Sequence, residues 1–341
     1  MVIIVKNSNK ILILLKNTEN LMKKVFEYNF NNADVMLIPK NYTPFDRERL
    51  AENINKNYDQ VIFFDYYDQF YLLLPLISKK VIKKYIINNG IALLYKEYIL
   101  NNMMQLYEYK ERNMIDYIAT TKYDTYVSMK DKIEYIELDY KTKIHPKNNN
   151  SIGLLGLYYF EYSNFFVQLS AVAMSKINKA VVLEQSPVVK KFGEDFNVAI
   201  KEEKDINKLI EQNKVNLDVA FSEVSTIKFL ISMDAGIPCI IGNTNLLDND
   251  EKLKKLLVPD SDDDVNEICE KIENVLAKKK EIEKLYSTWR KKYSDNSKNL
   301  VKNFIKLGGG RWYEQNFSYC TMLWNRSICW ELFRESFQPD I

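Results

Sequence analysis

The sequence predicts an α/β protein of two Rossmann-like, doubly wound domains with a cleft between them, and three observations predict it. Its 341 residues suit two domains at about 100–200 residues each. Short continuous apolar runs alternate with helix-period segments, as parallel strands do when helices cover both faces of a sheet. The rhythm stops at a polar stretch and then restarts, so two such units follow one another.

In the first unit, residues 1–140, the strand-like runs are ILILL (11–15), VMLIP (35–39), VIFFDYY (61–67), KYIINNG (84–90), YIATT (117–121) and IEYIELDY (133–140). Residues 141–150 (KTKIHPKNNN) lack apolar spacing and read as a linker. The second unit, 151–285, gives IGLLGLYY (152–159), a helix over 164–177, AVVLEQ (180–185), NVAI (197–200), a helix over 204–213, DVAF (218–221), a helix over 226–235 and PCIIG (238–242). Charged helical sequence follows, with closing helices over 286–307. Gly308 to Gly310 then introduce a lysine-free segment to residue 341 that holds three of the four tryptophans, and 308–341 reads as a glycine linker and an appended tail.

Composition removes several chemistries. The 46% apolar and 28% charged residues describe a folded chain, and a net charge of +2 supplies no field for nucleic acid. His145 is the only histidine and stands in the linker beside Pro146, so triads and histidine-rich metal sites are not expected. Four scattered cysteines form neither a disulfide framework nor a C-x-x-C pair. The longest apolar run, Phe70 to Ile77, is far below the roughly 20 residues that span a bilayer. The expectation is a cytoplasmic protein. The run KKVIKKY (79–85) reads first as a solvated helix face and second as a peripheral contact with anionic lipid at the inner face of a membrane.

The stretch 218–247, DVAFSEVSTIKFLISMDAGIPCIIGNTNLL, carries the most chemistry. A strand ends in a short loop, Ser225 is a good N-cap for the helix after it, and Gly236 ends that helix. In a parallel sheet the carboxyl ends of the strands line the ligand crevice. Glu223 and the N–H groups of Thr226, Ile227 and Lys228 should therefore face it. Helix N–H groups favour phosphate, whereas Glu223 suits sugar hydroxyls. The combination describes a pocket for a nucleotide sugar. Asn88, Asn89 and Gly90, after a strand of the first unit, should line the opposite, acceptor side.

Glu223, Ser225, Ser232, Gly236, Pro238 and Cys239, with Asp218 before them, resemble in register the signature of group 1 glycosyltransferases of the GT-B fold. Residues 152–171, 184–192 and 286–305 are similar to that family's first donor-domain strand and glycine loop, its second turn and its closing helices, so the resemblance spans about 150–305. It implies transfer of a hexose from a nucleoside diphosphate sugar, a UDP-sugar above all, to a glycan, lipid-linked or protein acceptor, with retention of configuration and no metal or other cofactor. It makes Glu223 the catalytic residue and assigns the donor to Gly153, Gly156, Lys190, Ser225 and Thr226. Two departures stand out. The family's second carboxylate should be at position 231, which is Ile231, and no Lys or Arg lies between Gly153 and Ala171, which leaves Lys190, Lys191 or Lys228 as the base for the diphosphate. The alternative is a non-catalytic GT-B-like subunit that binds a protein acceptor or a partner glycosyltransferase subunit.

Overall fold

A computed structural model describes residues 10–88, 97–130, 132–147, 149–159, 163–220, 225–242 and 245–308. The chain divides into units Met1–Lys306 and Leu307–Ile341. Two parallel sheets belong to the first. Residues 309–341, the greater part of the expected tail, lie outside the described residues.

The first sheet is built from β1 (Ile11–Lys16), β2 (Ala33–Ile38), β3 (Gln60–Phe64), β4 (Ile82–Ile87), β5 (Tyr117–Thr120) and β6 (Glu134–Tyr135), in the order β2-β1-β3-β4-β5-β6. Its helices are α1 (Asn20–Asn29), α2 (Pro44–Asn57), α3 (Asp68–Leu73), α4 (Glu97–Glu111) and α5 (Tyr123–Ser128). Right-handed crossovers put α1 alone on one face, because only the β1 to β2 step runs in that direction, and the other helices on the opposite face. Helix α2 starts with Pro44 at its first turn and a capping box between Thr43 and Asp46, so sequence and backbone agree on its entry point.

The second sheet holds β7 (Ile152–Leu154), β8 (Lys179–Val182), β9 (Ala199–Glu202), β10 (Val215–Asp218) and β11 (Cys239–Ile241), in the order β11-β10-β7-β8-β9. Helices α6 (Phe165–Met174), α7 (Pro187–Asp195), α8 (Ile206–Gln212), α9 (Thr226–Asp234), α10 (Glu251–Leu257) and α11 (Val265–Ala277) surround it. The strand order reverses between β7 and β10, which makes the carboxyl ends of that pair the switch point where a ligand is expected.

Helix α12 (Lys279–Lys306) has 28 residues, about 42 Å of helix, and belongs to both lobes. Tyr286 and Trp289 set their rings against Phe229 of α9, with centroids 6.1 and 5.8 Å away. Further on, the carbonyls of Phe304 and Ile305 accept from Lys84 Nζ at 2.6 and 2.9 Å, and Gln60 Nε2 donates to the Ile305 carbonyl at 3.2 Å. Gln60 and Lys84 project from the face that α1 leaves half-covered, and α12 completes it. A cation against the last carbonyls of a helix meets the negative end of its dipole. Burial nonetheless pushes the Lys84 ammonium down to about 7.

The sequence reading needs correction in several places. The lysine run 79–85 is not a helix face: Lys83 and Lys84 sit inside β4 and are buried, while Lys79 and Lys80 before the strand are exposed. Among the described residues no helix is long and apolar enough to cross a membrane. In 133–140 only Glu134 and Tyr135 pair as strand, because the carbonyls beyond them are taken by α12: Glu137 by Ser297, Leu138 by Tyr293 and Tyr140 by Arg290. The strand expected at 218–221 is β10, Val215–Asp218; its polar Asn216 hid the start of the run. Two charged helices, α11 and α12, are separated at Lys278, and the closing helices expected over 286–307 are the single helix α12.

Asn216 belongs to a buried amide network. Asn213 donates to it at 3.0 Å, it donates to Ser232 Oγ at 2.9 Å, and Ser232 donates to the Ile237 carbonyl at 2.8 Å. Gly153, within β7, makes room for this network: a Cβ there would overlap Asn216 Oδ1 and Asn213 Nδ2. Gly153→Ala is therefore expected to cost about 1–3 kcal/mol of stability, read as a lowered urea midpoint at constant slope.

Candidate functional site

A cleft of about 800 Å³ lies between the two lobes, with α12 along one side. Its first wall comes from the switch point of the second sheet. Ser225, Thr226, Ile227 and Lys228, at the start of α9, line it together with residues 245–246 and 248–250. The chain leaving β10 is held in place on both sides. Gln168 of α6 receives the Val219 N–H on Oε1 at 3.1 Å and donates Nε2 to the Val219 carbonyl at 2.9 Å. Asp218 Oδ2 accepts the Ser225 N–H at 3.3 Å. Strand end and helix start are thereby tied together.

Ser225 occupies the N-cap position, but its side chain makes no capping bond, contrary to the expectation from sequence. The helix therefore begins at the cleft without the usual hydroxyl cap from its N-cap residue. At the other end Gly236 adopts φ +71°, and its N–H meets the Met233 carbonyl at 3.0 Å, which is the left-handed stop that the glycine allows. Lys228, one turn into α9, donates Nζ to the Leu155 carbonyl at 2.7 Å, just past the end of β7. That bond holds an ammonium across the β7 and β10 ends.

The facing wall is made by the carboxyl ends of β4, β5 and β6. Asn88 follows β4, and its Oδ1 accepts from Thr121 Oγ1 at 2.7 Å. Tyr123, at the start of α5, packs edge-on to Tyr135 with centroids 5.5 Å apart. Glu137 receives Tyr135 OH at 3.2 Å on one oxygen and Asn296 Nδ2 at 2.9 Å on the other. Burial pushes its carboxyl above the ordinary range, against the pull of the Asn296 and Tyr135 hydrogen bonds. Trp289, Tyr293 and Asn296 of α12 complete the lining.

Of the residues singled out from sequence, the structure brings Asn88, Ser225, Thr226, Ile227 and Lys228 to this cleft. Glu223, Asn89 and Gly90 lie outside the described residues. Gly156 stands directly after β7, where a Cβ would press on Ser163 Cβ at 3.0 Å. Neither it nor Gly153 is among the lining residues, and Gly153 serves packing. Lys190 is exposed on α7 and does not line the cleft. Ile231 is fully buried in the apolar face of α9, with Leu230 beside it equally buried. His145 is exposed in the linker. Tyr123, Glu137, Trp289 and Asn296 were not legible beforehand; Glu137 lay hidden in a run read as strand.

No family model matches the sequence, and no curated protein matches it. Solved structures do match in fold. Anabaena Alr3699/HepE in complex with UDP and glucose superimposes with a TM-score of 0.65 at 9% identity, covering 88% of this chain and 99% of that one. A glycosyltransferase from Rickettsia africae ESF-5 gives 0.58 at 13% identity, over 88% and 98%. Sucrose-phosphate synthase from Thermosynechococcus elongatus gives 0.55 at 12% identity, over 90% and 99%. Two parallel, doubly wound sheets facing one another across a cleft, in agreement with these structures along nearly the whole of units β1 to α12, give this chain the GT-B glycosyltransferase fold.

Proposed function

We propose that the chain is a glycosyltransferase that moves a sugar, a hexose, from a nucleoside diphosphate donor to an acceptor held by the facing lobe. The observation that carries this reading is the uncapped start of α9 beside Lys228 at the switch point, opening on an interlobe cleft. A leaving diphosphate gathers negative charge as the glycosidic bond breaks. Fixed N–H dipoles and an ammonium stabilise that charge without reorganising, which lowers the barrier rather than merely tightening binding. Thr226 and Ser225 stand beside this position, and Glu223 is proposed to orient the sugar hydroxyls. Lys228 takes the role that the sequence shared among Lys190, Lys191 and Lys228, since it alone of the three lines the cleft. UDP is the proposed nucleotide, because the similarly folded HepE is crystallised with UDP-glucose. Retention of configuration and independence from metal belong to the same proposal.

Ile231 favours a second reading, a non-catalytic subunit of this fold that binds a protein acceptor or a catalytic partner. An apolar, fully buried side chain offers nothing to a ribose. Calorimetric titration with UDP-, GDP- and ADP-sugars separates the two, alongside a donor-hydrolysis assay in the presence of EDTA. The transferase is expected to bind one of these donors and to release its nucleotide slowly without metal. Absence of binding by all three would leave the subunit reading.

A further inference from the structure

We propose that the acceptor is an uncharged saccharide, seated on Tyr123 on the wall opposite the donor; this rests on the transferase reading for its role, but its binding can be measured separately. Tyr123 is 40% exposed at the cleft while two neighbouring rings hold it in place. Tyr135 meets it at 79° with centroids 5.5 Å apart, and Tyr126 lies 6.2 Å away. A fixed, exposed ring presents an apolar plane at low entropic cost to the C–H face of a pyranose. Hydrogen-bonding groups flank it. Asn88 has its amide oriented by Thr121, and both Glu137 oxygens keep a further lone pair beyond those used by Tyr135 and Asn296. An apolar plane edged by an amide and a carboxylate suits a ligand with one C–H face and a rim of hydroxyls.

Charge decides against an anionic acceptor. Among the described residues the charged ones lining the cleft are Lys122, Lys228 and Lys292 against Glu137, Asp248 and Asp250, so these cancel. On the acceptor wall Lys122, next to Tyr123, and Glu137 offset one another, so a lipid phosphate would find no surplus of positive charge there.

The test titrates methyl glycosides and disaccharides of glucose, galactose and N-acetylglucosamine into the full chain with UDP present, read by saturation-transfer NMR. Undecaprenyl phosphate in nanodiscs and a Ser/Thr-rich unfolded polypeptide serve as competing classes. At least one saccharide is expected to bind. Tyr123→Ala should weaken it roughly tenfold, Tyr123→Phe should hold it within about twofold, and both variants should keep the parent affinity for UDP. Absence of saccharide binding, indifference to Tyr123→Ala, or binding of only the lipid phosphate or the polypeptide overturns the proposal. Should nucleotide binding fail while saccharides still bind in a Tyr123-dependent way, the transferase reading falls and the saccharide site stands.

Discussion

Lys228→Ala is expected to slow sugar transfer by about two to three orders of magnitude, the usual effect of removing one preorganised donor from a developing anion. Its Nζ lies 2.7 Å from the Leu155 carbonyl, so the ammonium is already placed when the donor arrives. The loss should therefore fall on kcat more than on KM, because the charge on the diphosphate grows as the bond to the sugar breaks. Lys228→Arg should recover only part of the rate: a guanidinium keeps the charge but cannot occupy the position of a compact ammonium. Loss of the bond to Leu155 should cost stability only about 0.5–1.5 kcal/mol. Chemical denaturation and steady-state kinetics on the same preparations measure both quantities. A variant that transfers sugar at the parent rate would remove Lys228 from the mechanism.

Arg290→Ala is expected to remove about 3–5 kcal/mol of stability, the cost of stripping a buried charge of its partner. Against a total of about 5–15 kcal/mol for a folded protein, that is a large share. Arg290 projects from α12 between the lobes. Its Nε meets Asp234 Oδ1 at 3.0 Å and its Nη2 meets Asp234 Oδ2 at 3.1 Å, at the end of α9. Nη2 also reaches the Tyr140 carbonyl at 3.0 Å and lies 2.6 Å from Asp139 Oδ1, in the segment that leaves the first lobe. The contact with Asp139 is an ion pair outside hydrogen-bond geometry, and Nη1 is buried with no hydrogen-bond partner among the described residues. Burial works against the charge on Arg290, but the hydrogen bonds to Asp234 and the ion pair with Asp139 outweigh it and raise its pKa.

Removing the guanidinium would leave the Asp139 carboxylate buried without its cation and the Asp234 carboxylate alone at the solvent-facing edge of the junction. Asp139 is 1% exposed, and Ser294 alone would still donate to its Oδ2, at 2.7 Å. Tyr286 OH would remain on Asp234 at 2.7 Å. Combining Arg290→Met with Asp139→Asn and Asp234→Asn should return most of the loss, since the orphaned charges then vanish together. Urea titration of the single and triple variants measures this. A single variant as stable as the parent would mean that the junction is held elsewhere.

Much of the fold was legible because parallel strands buried on both faces must be apolar throughout, and β1, β3 and β8 announce themselves that way. The same rule erred where a buried polar residue had a private partner. Lys84 counts as surface in any hydropathy reading, yet it is buried against the last carbonyls of α12, 220 residues away in sequence. Asn216 disguised the start of β10 in the same manner. That Asn88, Ser225 and Thr226 stand at the cleft could be read in advance because the carboxyl ends of parallel strands share one edge. Gly153 looked like a ligand-facing glycine; the missing Cβ instead admits two asparagine side chains.

The amino-acid order by itself determined two parallel, doubly wound sheets and the position of the helix start at the cleft, since each depends on neighbours within a few residues. Only the tertiary structure decided which cation stands beside that helix, which aromatic ring lines the opposite wall and how the lobes are joined. Lys228 acquires its place from Leu155, Tyr123 from Tyr135, and Arg290 from Asp139 and Asp234. Such pairings join residues from about 10 to 150 positions apart, and no local periodicity records them: a charge or a ring has the same letter whether water or a partner surrounds it.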